Sequence, residues 1–337
     1  MVQAILLVGG KGTRLMPLTR TIPKPMLPVA GFPVTQHQLA MAKRAGITSV
    51  VLATSYLEEV FRPYFGDGSR WGMKIQYAVE GSPLGTGGAI ANAAALLRPD
   101  EPIVVLNGDI LSSHDLSAQI AFHNKNGAAA TLHITEVDDA RAYGCVPVDA
   151  NNRVTAFLEK MDNPIAKTIN AGCYVFSPGA IDAIPANTVV SIEREVFPEL
   201  VTHTQKVFGY IDNSYWLDLG TPSALLQGSR DLVQGRAIGV DFTSAPVSVH
   251  TNDYIALAGS RIDASAQIFN GSSIGQAVQV HEATVIDGSV VSNGAVISNG
   301  AIVRSSFIAE GVTVIAGAVI EASYVGQDGI FPLMVSN

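Results

Sequence analysis

The sequence is poor in cysteine and in charged side chains. Two of its 337 residues are cysteine, and Cys145 and Cys173 form no CxxC pattern, which argues against a disulfide framework and a thiolate metal site. Charged residues make up 15% of the chain, against roughly 25% in an average globular protein. Because apolar residues reach 47%, the composition excludes a disordered chain and predicts a well-buried protein. The cysteine usage predicts a reducing, cytoplasmic compartment.

Basic residues and long apolar runs are also scarce. Lysine and arginine number 21 against 29 aspartates and glutamates, a net charge of -8, so neither a nucleic acid nor an anionic membrane is an expected partner. No apolar run approaches the ~20 residues of a membrane-spanning helix. The apolar segment Met1–Val8 lacks the basic flank and cleavage site of a secretion signal. We therefore expect a soluble protein.

What the chain does have is a regular alternation of segments over its first two-thirds. Short β-branched runs alternate with amphipathic stretches, which is typical of βαβ units around a mostly parallel sheet. Strands are predicted at Ala4–Val8, Ser49–Ala53, Lys74–Ala78, Ile103–Leu106, Thr131–Thr135, Val154–Leu158, Tyr174–Phe176 and Lys206–Tyr210. Helices are predicted at Thr35–Ala45, Leu57–Phe65, Gly87–Leu97 and Pro222–Val233.

From about residue 255 the apolar period becomes six. Apolar β-branched residues recur at Ile262, Ile268, Ile274, Val280 and Ile286, and after one slip in phase at Val290, Val296, Ile302, Ile308, Val314 and Ile320. A six-residue period predicts a triangular β-helix in which each side supplies one inward residue, with a valine-rich β-sandwich as the alternative. The expected fold class is α/β: a doubly wound, mostly parallel nucleotide-binding sheet over residues 1–240, then a short left-handed hexapeptide-repeat β-helix over 251–337.

A glycine-rich segment with clustered cations follows the first predicted strand. The letters GGKGTRL at 9–15 are followed by PKP at 23–25. Glycines at the end of a strand let backbone N–H groups approach phosphates, and lysine and arginine neutralise them, so this segment predicts a triphosphate site. It matches neither the P-loop nor the dinucleotide fingerprint. A plain glycine-rich turn is the alternative.

Further motifs follow the glycine-rich segment in a fixed order. The full series is GGKGTRLMPLT (9–19), PKPMLPVAGFP (23–33), PLGTGGA (83–89), NGD (107–109), FLEK (157–160), NAG (170–172) and WLDLGTP (216–222). These motifs and their order resemble those of the sugar-1-phosphate nucleotidylyltransferases, which share a Rossmann-like nucleotidyltransferase fold, and the resemblance spans residues 3 to about 235. With the predicted β-helix added, the whole chain is similar to the GDP-mannose pyrophosphorylases of that family.

The resemblance implies attack by a sugar-1-phosphate oxygen on the α-phosphate of a nucleoside triphosphate, with pyrophosphate leaving. Because two polyanions must meet, cation placement is the main catalytic requirement. By resemblance, Arg14 and Lys24 hold the β- and γ-phosphates. The nucleotide is contacted by Gly9, Gly10, Gly12, Thr13, Glu80, Gly85 and Thr86.

The resemblance also implies a Mg²⁺ cofactor held by Asp109 and Asp218, and a pocket for the sugar phosphate. One or two carboxylates plus substrate phosphates are typical Mg²⁺ ligands, although a lone aspartate after a strand is more often a turn former or a cap. The sugar-phosphate residues are Gly144, Glu159, Lys160, Asn170, Gly172 and Glu193. Without the family, Glu159 and Lys160 are a solvated charge pair, and Glu193 belongs to the first turn of an N-capped helix.

The function implied is guanylyl transfer from GTP to mannose 1-phosphate, giving GDP-mannose and pyrophosphate. Another sugar-1-phosphate nucleotidylyltransferase, acting on heptose or glucose 1-phosphate with GTP, UTP or dTTP, is the alternative. A catalytically silent regulatory subunit is a further alternative, disfavoured by the presence of Arg14, Lys24, Asp109 and Asp218. The expected partners are the two substrates and further copies of the chain, which we expect to associate through the β-helix.

Overall fold

The computed structural model describes residues 2–10, 12–20, 22–54 and 58–333. The chain forms two compact units, each assembled from separate segments. The first contains Met1–Gly10, Met41–Ile110 and His114–Trp216, and the second contains Lys11–Ala40, Leu111–Ser113 and Leu217–Asn337. No helix within the described ranges is long and apolar enough to cross a membrane. The predicted domain boundary between residues 240 and 251 stays a prediction.

The helices include the four that the sequence predicts. The helices are α1 (Val34–Arg44), α2 (Glu58–Phe65), α3 (Gly85–Ala94), α4 (Leu116–Asn126), α5 (Pro178–Asp182), α6 (Phe197–Thr204) and α7 (Pro222–Val233). Helix α7 has the predicted ends, and the ends of α1 and α3 are shifted by one to three residues. Leu57, the predicted start of the second helix, lies outside the described residues. Helix α7 begins where Thr221 Oγ1 accepts a hydrogen bond from the Ala224 amide and proline occupies the first turn, a strong N-terminal signal.

The first unit is built on a seven-stranded sheet. The strands up to residue 218 are β1 (Gln3–Leu7), β2 (Pro28–Val29), β3 (Phe32–Pro33), β4 (Ser49–Thr54), β5 (Lys74–Val79), β6 (Ile103–Asn107), β7 (Ile110–Ser112), β8 (Ala130–Glu136), β9 (Thr168–Phe176), β10 (Val207–Ile211) and β11 (Trp216–Asp218). The sheet order is β10-β8-β9-β6-β1-β4-β5. All its pairs are parallel except those of β9, which is antiparallel to β6 and β8. Fully buried Ile5, Val51 and Val105 form part of its core.

One predicted strand of this unit is wrong. Residues 154–158 form no continuous strand; Val154 and Leu158 make only isolated bridges, to Val148 and Cys145. The apolar side chains that suggested a strand are buried all the same, since Val154 and Phe157 belong to the main core. Apolar and β-branched residues are typical of a strand, but here they contribute to the core from an irregular segment.

The second unit contains the predicted β-helix. Its strands are β12 (Val247–His250), β13 (Tyr254–Leu257), β14 (Arg261–Ile262), β15 (Gln267–Phe269), β16 (Ser272–Ile274), β17 (Gln279–Val280), β18 (Val285–Asp287), β19 (Val290–Val291), β20 (Val296–Ile297), β21 (Ile302–Arg304), β22 (Phe307–Ile308), β23 (Thr313–Val314), β24 (Val319–Glu321), β25 (Ser323–Gly326) and β26 (Gly329–Pro332). They form three sheets, ordered β12-β13-β16-β19-β22-β25-β26, β14-β17-β20-β23 and β15-β18-β21-β24.

The predicted phase of the repeat is correct for most coils and wrong for one. The inward residues of that coil are Val291, Ile297 and Val303, which are in the β-helix core, and the predicted Val290, Val296 and Ile302 each stand one position earlier. Strand registers align Ile286 with Val303 and Ile320. The six-residue pattern predicts a single slip of two residues after Ile286. In the structure one step is a residue shorter there, and a second step is a residue shorter after Val303.

Candidate active site

In the first unit, two predicted site segments follow neighbouring parallel strands. Gly9 and Gly10 come after β1, and Asp109 comes after β6; both glycines are exposed. The Gly108 amide donates to the Leu7 carbonyl at 2.9 Å, and a Cβ at Gly108 would lie 2.3 Å from that oxygen. Glycine is therefore required for the close approach of these strand ends, which is where open α/β sheets bind ligands.

In the second unit, the loop from Gly12 to Lys24 folds back on itself. Gly12 has φ +56, and a Cβ there would lie 3.0 Å from Thr19 Cγ2 and 3.2 Å from Lys24 Cβ. Thr19 Oγ1 donates to the Gly12 carbonyl at 2.9 Å. A short 3₁₀ helix between them carries Thr13 and Arg14, both exposed. The loop thus presents Arg14 to solvent and keeps the Lys24 side chain largely buried.

Three predicted catalytic residues converge within this second unit. Lys24 Nζ lies 3.8 Å from Asp218 Oδ1. A Cβ at Gly220 would lie 3.0 Å from Arg14 Nη2 and also 3.0 Å from Asp218 Oδ1. Arg14 and Asp218 therefore both lie against the backbone at Gly220, where a side chain would displace them, and Lys24 lies beside the same Asp218 carboxylate. Two cations beside one carboxylate are suited to a phosphate group that carries a metal ion.

In the first unit, the glycines at the start of α3 are explained by packing. A Cβ at Gly85 would lie 2.6 Å from the Val190 carbonyl oxygen, which also accepts a hydrogen bond from the Gly87 amide at 2.8 Å. Just before this helix, Glu80 Oε2 accepts a hydrogen bond from the Leu84 amide at 3.3 Å. Burial raises the pKa of Glu80, and the hydrogen bond from Leu84 opposes that shift. The predicted nucleotide role of Gly85 stays a prediction.

Thr86 and Glu193 contact each other directly. Thr86 Oγ1 donates to Glu193 Oε2 at 2.8 Å and accepts from the Ile192 amide at 2.9 Å. Ser191 Oγ donates to the same carboxylate oxygen at 3.0 Å. A predicted nucleotide residue and a predicted sugar residue are therefore parts of one hydrogen-bonded group. Glu193 lies in the π-helical turn Ile192–Val196, with Ser191 as its N-cap.

Most predicted sugar-phosphate residues lie together in the first unit. A Cβ at Gly144 would lie 3.3 Å from Glu159 Oε2, and the Gly144 carbonyl accepts from the Asn170 amide at 2.8 Å. Asn170 Oδ1 in turn accepts from the Gly172 amide at 3.1 Å. Lys160 is exposed and has φ +32, a backbone conformation that costs energy for a lysine.

A buried tyrosine, predicted only as part of a strand, connects these segments. The Tyr174 hydroxyl accepts from Asn170 Nδ2 at 2.8 Å and also hydrogen-bonds to the Asn107 side chain. Burial raises the pKa of Tyr174 well above its usual value, and the nearby Glu193 carboxylate adds to that shift. The phenol therefore stays neutral. Tyr174 lies inside an apolar strand, where sequence gives no signal that its hydroxyl has a role.

An aromatic pair borders the same strand. Trp216 Nε1 donates to the Ala171 carbonyl at 2.9 Å, and the Trp216 ring packs edge-on against Tyr143 with 5.4 Å between centroids. Trp216 is in one of the motifs that carry the family resemblance, but it is not among the predicted site residues. Aromatic rings with one polar edge are common walls of small-molecule sites.

The residues that could hold Mg²⁺ fit a metal bound largely by substrate. Asp109 lies in the turn between β6 and β7, Asp218 is the last residue of β11, and both residues are half-buried. Within the described ranges, no group of three or more histidine, cysteine, aspartate or glutamate side chains could hold a metal on its own. Mg²⁺ does not need such a cage, since it usually takes one or two carboxylates together with phosphate oxygens and water.

The chain is similar in sequence to known nucleotidyltransferases. The family model described as nucleotidyl transferase matches residues 3–235. The chain is 47% identical over 284 residues to the mannose-1-phosphate guanylyltransferase of Mycobacterium tuberculosis, covering 84% of this chain and 77% of the relative. It is 35% identical over 285 residues to probable mannose-1-phosphate guanylyltransferase 2 of Arabidopsis thaliana, covering 82% and 76%.

Solved structures share the fold. A putative glucose-1-phosphate thymidylyltransferase from Bacillus anthracis superimposes with a TM-score of 0.63 at 22% identity, covering 68% of this chain and 94% of that one. HddC from Yersinia pseudotuberculosis, in complex with GMP-PN, gives a TM-score of 0.59 at 26% identity, covering 69% and 100%. Given the family model that spans residues 3–235 and the relatives that align over most of the chain, this chain belongs to the nucleotidyl transferase family.

Proposed function

We propose that this protein transfers the guanylyl group of GTP to mannose 1-phosphate. A phosphate oxygen of the sugar phosphate attacks the α-phosphorus of GTP and forms a new P–O bond. The bond between the α-phosphorus and the bridging oxygen breaks, and pyrophosphate leaves with that oxygen and its charge. The observation that carries the proposal is the 47% identity to the M. tuberculosis mannose-1-phosphate guanylyltransferase over 84% of this chain.

The cations of the second unit fit the electrostatic needs of this reaction. Lys24 and Arg14 are proposed to bind the β- and γ-phosphates and to stabilise the departing pyrophosphate. Because the Lys24 side chain is largely buried, its charge is screened less by water than that of a surface lysine, and its effect on developing negative charge is stronger. Backbone groups at Gly9, Gly10 and Gly12, with Thr13, are proposed to complete the phosphate contacts.

The sugar phosphate is proposed to bind the first unit, at the polar residues around Gly144 and Asn170 and at Glu193. Glu159 accepts hydrogen bonds from sugar hydroxyls, and Lys160 binds the phosphate. Asn170, Glu193 and the backbone at Gly144 and Gly172 supply the remaining polar contacts. Positioning of this kind converts a bimolecular attack into an effectively unimolecular one, which is the main contribution available without a covalent step.

Asp109 and Asp218 are the proposed Mg²⁺ ligands. When bound, Mg²⁺ would offset the negative charge of the triphosphate. The Lys24–Asp218 ion pair supports this role, because it places a carboxylate beside the loop that is proposed to bind phosphate. Glu80, with Gly85 and Thr86, is proposed to contact the nucleotide.

The experiment that tests the proposal is a substrate panel. The purified protein is incubated with Mg²⁺, with each of GTP, UTP and dTTP, and with mannose, glucose or heptose 1-phosphate, and pyrophosphate release is measured. We expect GTP with mannose 1-phosphate to give the highest kcat/KM. A higher value for heptose or glucose 1-phosphate, or for another nucleotide, would identify a different member of the family. Binding of GDP-mannose with no turnover of any pair would indicate a regulatory subunit.

We further propose that the protein works in the cytoplasm and as a homo-oligomer. The two cysteines are buried free thiols, which suits a reducing compartment. Val285, Ile302 and Val319 align in register on the outer side of one β-helix sheet, and Val319 is 60% exposed. Such an apolar row is suited to contact with a second copy. Light scattering at micromolar concentration should show an oligomer that Val319→Asp weakens and Thr313→Asp, on a different sheet, leaves intact.

A further inference from the structure

The last hairpin of the β-helix contacts the loop that is proposed to bind the triphosphate. Strands β25 and β26 pair antiparallel, with Tyr324 opposite Phe331 and Gly326 opposite Gly329, so Gln327 and Asp328 form the turn. One side chain of the loop, Arg20, forms an ion pair with the Asp328 carboxylate. The Arg20 guanidinium also lies over the Phe331 ring, 4.9 Å from its centroid.

The hairpin provides a built surface for this arginine. The Tyr324 and Phe331 rings lie side by side, 6.4 Å apart. A Cβ at Gly326 would lie 2.8 Å from Asp328 Oδ1 and 2.8 Å from Tyr324 Cε1, so the absence of a side chain there lets the Asp328 carboxylate fold back beside the rings. An arginine is held in such a place both by charge and by stacking on an aromatic face.

Arg20 stands at the end of a compact series of turns. Its amide donates to the Pro17 carbonyl at 3.2 Å, and the neighbouring Thr19 closes the loop through its hydrogen bond to Gly12. Arg14 lies in the middle of this series and is exposed. Its position therefore depends on how firmly the two ends of the loop are held.

The aspartate of the second unit is anchored to the same β-helix. Helix α7, which starts four residues after Asp218, carries Arg230, whose guanidinium donates to the Gly288 carbonyl at 2.9 Å and to Ser305 Oγ at 2.8 Å. A Cβ at Gly288 would lie 2.5 Å from Arg230 Nε. The β-helix thus contacts both the triphosphate loop and the helix behind Asp218.

We propose that the closing hairpin of the β-helix holds the triphosphate-binding loop in its binding conformation, and that Arg20 is the positioning residue through which it acts. The proposal rests on the proposed function in that it takes this loop as the GTP-binding segment. It gives the β-helix a role in nucleotide binding that does not require any residue of the β-helix to touch substrate.

Neutralising Asp328 distinguishes positioning of the triphosphate-binding loop from a direct effect of charge on GTP binding. Removing the positive charge in Arg20→Ala would weaken GTP binding by either route. Asp328→Asn removes a negative charge, so the electric field alone would strengthen the binding of a polyanion. If the hairpin positions the loop, the same substitution weakens GTP binding instead, because Arg20 loses its partner.

The experiment uses the full-length protein and measures the Kd of GTP with Mg²⁺ by calorimetry, and both KM values by pyrophosphate release. We expect Asp328→Asn and Arg20→Ala each to raise the Kd and KM for GTP by about 3- to 10-fold, the effect of losing an ion pair supported by a stacked ring. The KM for mannose 1-phosphate should change by less than about 2-fold. The Kd for GTP of the double variant should not exceed the higher of the two Kd values of the single variants.

The matched control is Arg62→Ala. Arg62 is also an exposed arginine that pairs with a carboxylate, Glu58, and lies over an aromatic ring, Tyr77, at 4.3 Å, but it belongs to α2 of the first unit. We expect no change in either KM. Should Asp328→Asn fail to fold, Phe331→Leu, which changes no charge, is judged by the same criteria.

The proposal is overturned if Asp328→Asn leaves the Kd for GTP unchanged or lowers it, if both KM values rise together, or if the two substitutions are additive. A wild-type protein that binds GTP without releasing pyrophosphate refutes the proposed function but leaves the calorimetric test intact. The two failures are therefore distinguishable.

Discussion

Lys24 and Asp218 form an ion pair in which Nζ lies 3.8 Å from Oδ1, and the lysine is only 8% exposed. This distance is too long for a direct hydrogen bond between the two atoms, so the pair is held by the attraction of opposite charges. A triphosphate with its metal ion can engage both: phosphate oxygens with the lysine, and the metal with the carboxylate. In this arrangement Asp218 attracts a metal ion only through the negative charge of its carboxylate.

Replacing either proposed metal ligand by asparagine tests this arrangement. Asp109→Asn and Asp218→Asn keep the size of the side chain and remove the charge that Mg²⁺ needs, so we expect kcat to fall by at least ~100-fold, comparable to the loss of one electrostatic stabiliser of a transition state. The melting temperature should change little. Steady-state pyrophosphate release over a range of Mg²⁺ concentrations measures the effect.

The control for these variants is Asp139→Asn, because Asp139 is also an aspartate paired with a cation, Arg141, but is exposed. Its kcat should stay within about 2-fold of the wild type. Near-normal turnover of Asp218→Asn at ordinary Mg²⁺ concentration would show that this carboxylate is not a ligand.

Tyr174→Phe tests the buried hydroxyl that joins Asn170 and Asn107. The substitution removes one oxygen and leaves two amide side chains without that acceptor, at a cost of about 1–3 kcal/mol in stability. Because Asn170 belongs to the proposed sugar pocket, we expect the KM for mannose 1-phosphate to rise by roughly 10-fold and the KM for GTP to change by less than about 3-fold.

Tyr77→Phe is the matched control, since it also removes a hydroxyl that hydrogen-bonds to a protein group, the Gly66 carbonyl at 2.8 Å, in the same unit. It should leave both KM values unchanged. Equal increases in the two KM values of Tyr174→Phe would mean that the hydroxyl contributes only to the fold.

The stability of the protein should fall on mild acidification because of two stacked, buried histidines. His114 and His133 have ring centroids 4.0 Å apart. Burial lowers the pKa of both, that of His133 to about 3. In the unfolded chain these histidines take up protons near pH 6.5, whereas in the folded chain they stay neutral at that pH. The free energy of unfolding is therefore highest above pH 6.5 and decreases as the pH falls towards the pKa of His133 in the folded protein. His133 alone should cost about 1.4 kcal/mol per pH unit over that range.

Urea denaturation at pH 7, 6 and 5 measures this slope. In His133→Asn the side chain cannot titrate, so the slope between pH 6.5 and 5 should decrease by about the same 1.4 kcal/mol per unit. His203→Gln, which removes an exposed histidine, should leave the slope as it is. An unchanged slope in His133→Asn would show that His133 does not titrate differently in the folded protein.

The fold was more predictable than the site because the fold depends on periodic burial. Strands such as Ser49–Thr54 and the capped helix Pro222–Val233 carry local signals of burial, capping and turns that act within a few residues. The same signals failed at 154–158, where apolar side chains are buried without forming a continuous strand, and around residue 290, where the β-helix coil is one residue shorter than three full hexapeptides.

The site motifs could be found by resemblance, but their connections could not. Tyr174 and Asn107 are separated by a long stretch of chain, and Thr86 and Glu193 likewise, yet each pair is in contact. The order of strands in the sheet brings these residues together, and no local sequence pattern specifies it. Packing likewise explains Gly85 and Gly88, whose missing side chains make room for backbone at 188–190.

Glu80→Gln tests how the protein selects its base. Glu80 is half-buried before the turn that leads into α3, and its Oε2 accepts a hydrogen bond from the Leu84 amide. A carboxylate offers only acceptors, and guanine presents two neighbouring donors, N1–H and N2–H, whereas a pyrimidine would leave part of the carboxylate unsatisfied. A well-placed bidentate pair discriminates by roughly 1–3 kcal/mol, and an unpaired buried acceptor costs a similar amount.

We therefore expect Glu80→Gln to lower the preference for GTP over UTP or dTTP by about 10- to 100-fold in kcat/KM, with a smaller effect on the choice of sugar. Competition between GTP and UTP, each at several concentrations with mannose 1-phosphate held constant, measures the ratio directly. Glu59→Gln, an exposed residue of α2, should leave the ratio unchanged, because its carboxylate faces solvent. If Glu80→Gln keeps the nucleotide ranking of the parent, this carboxylate does not contact the base, and the specificity for guanine must come from backbone groups or other side chains.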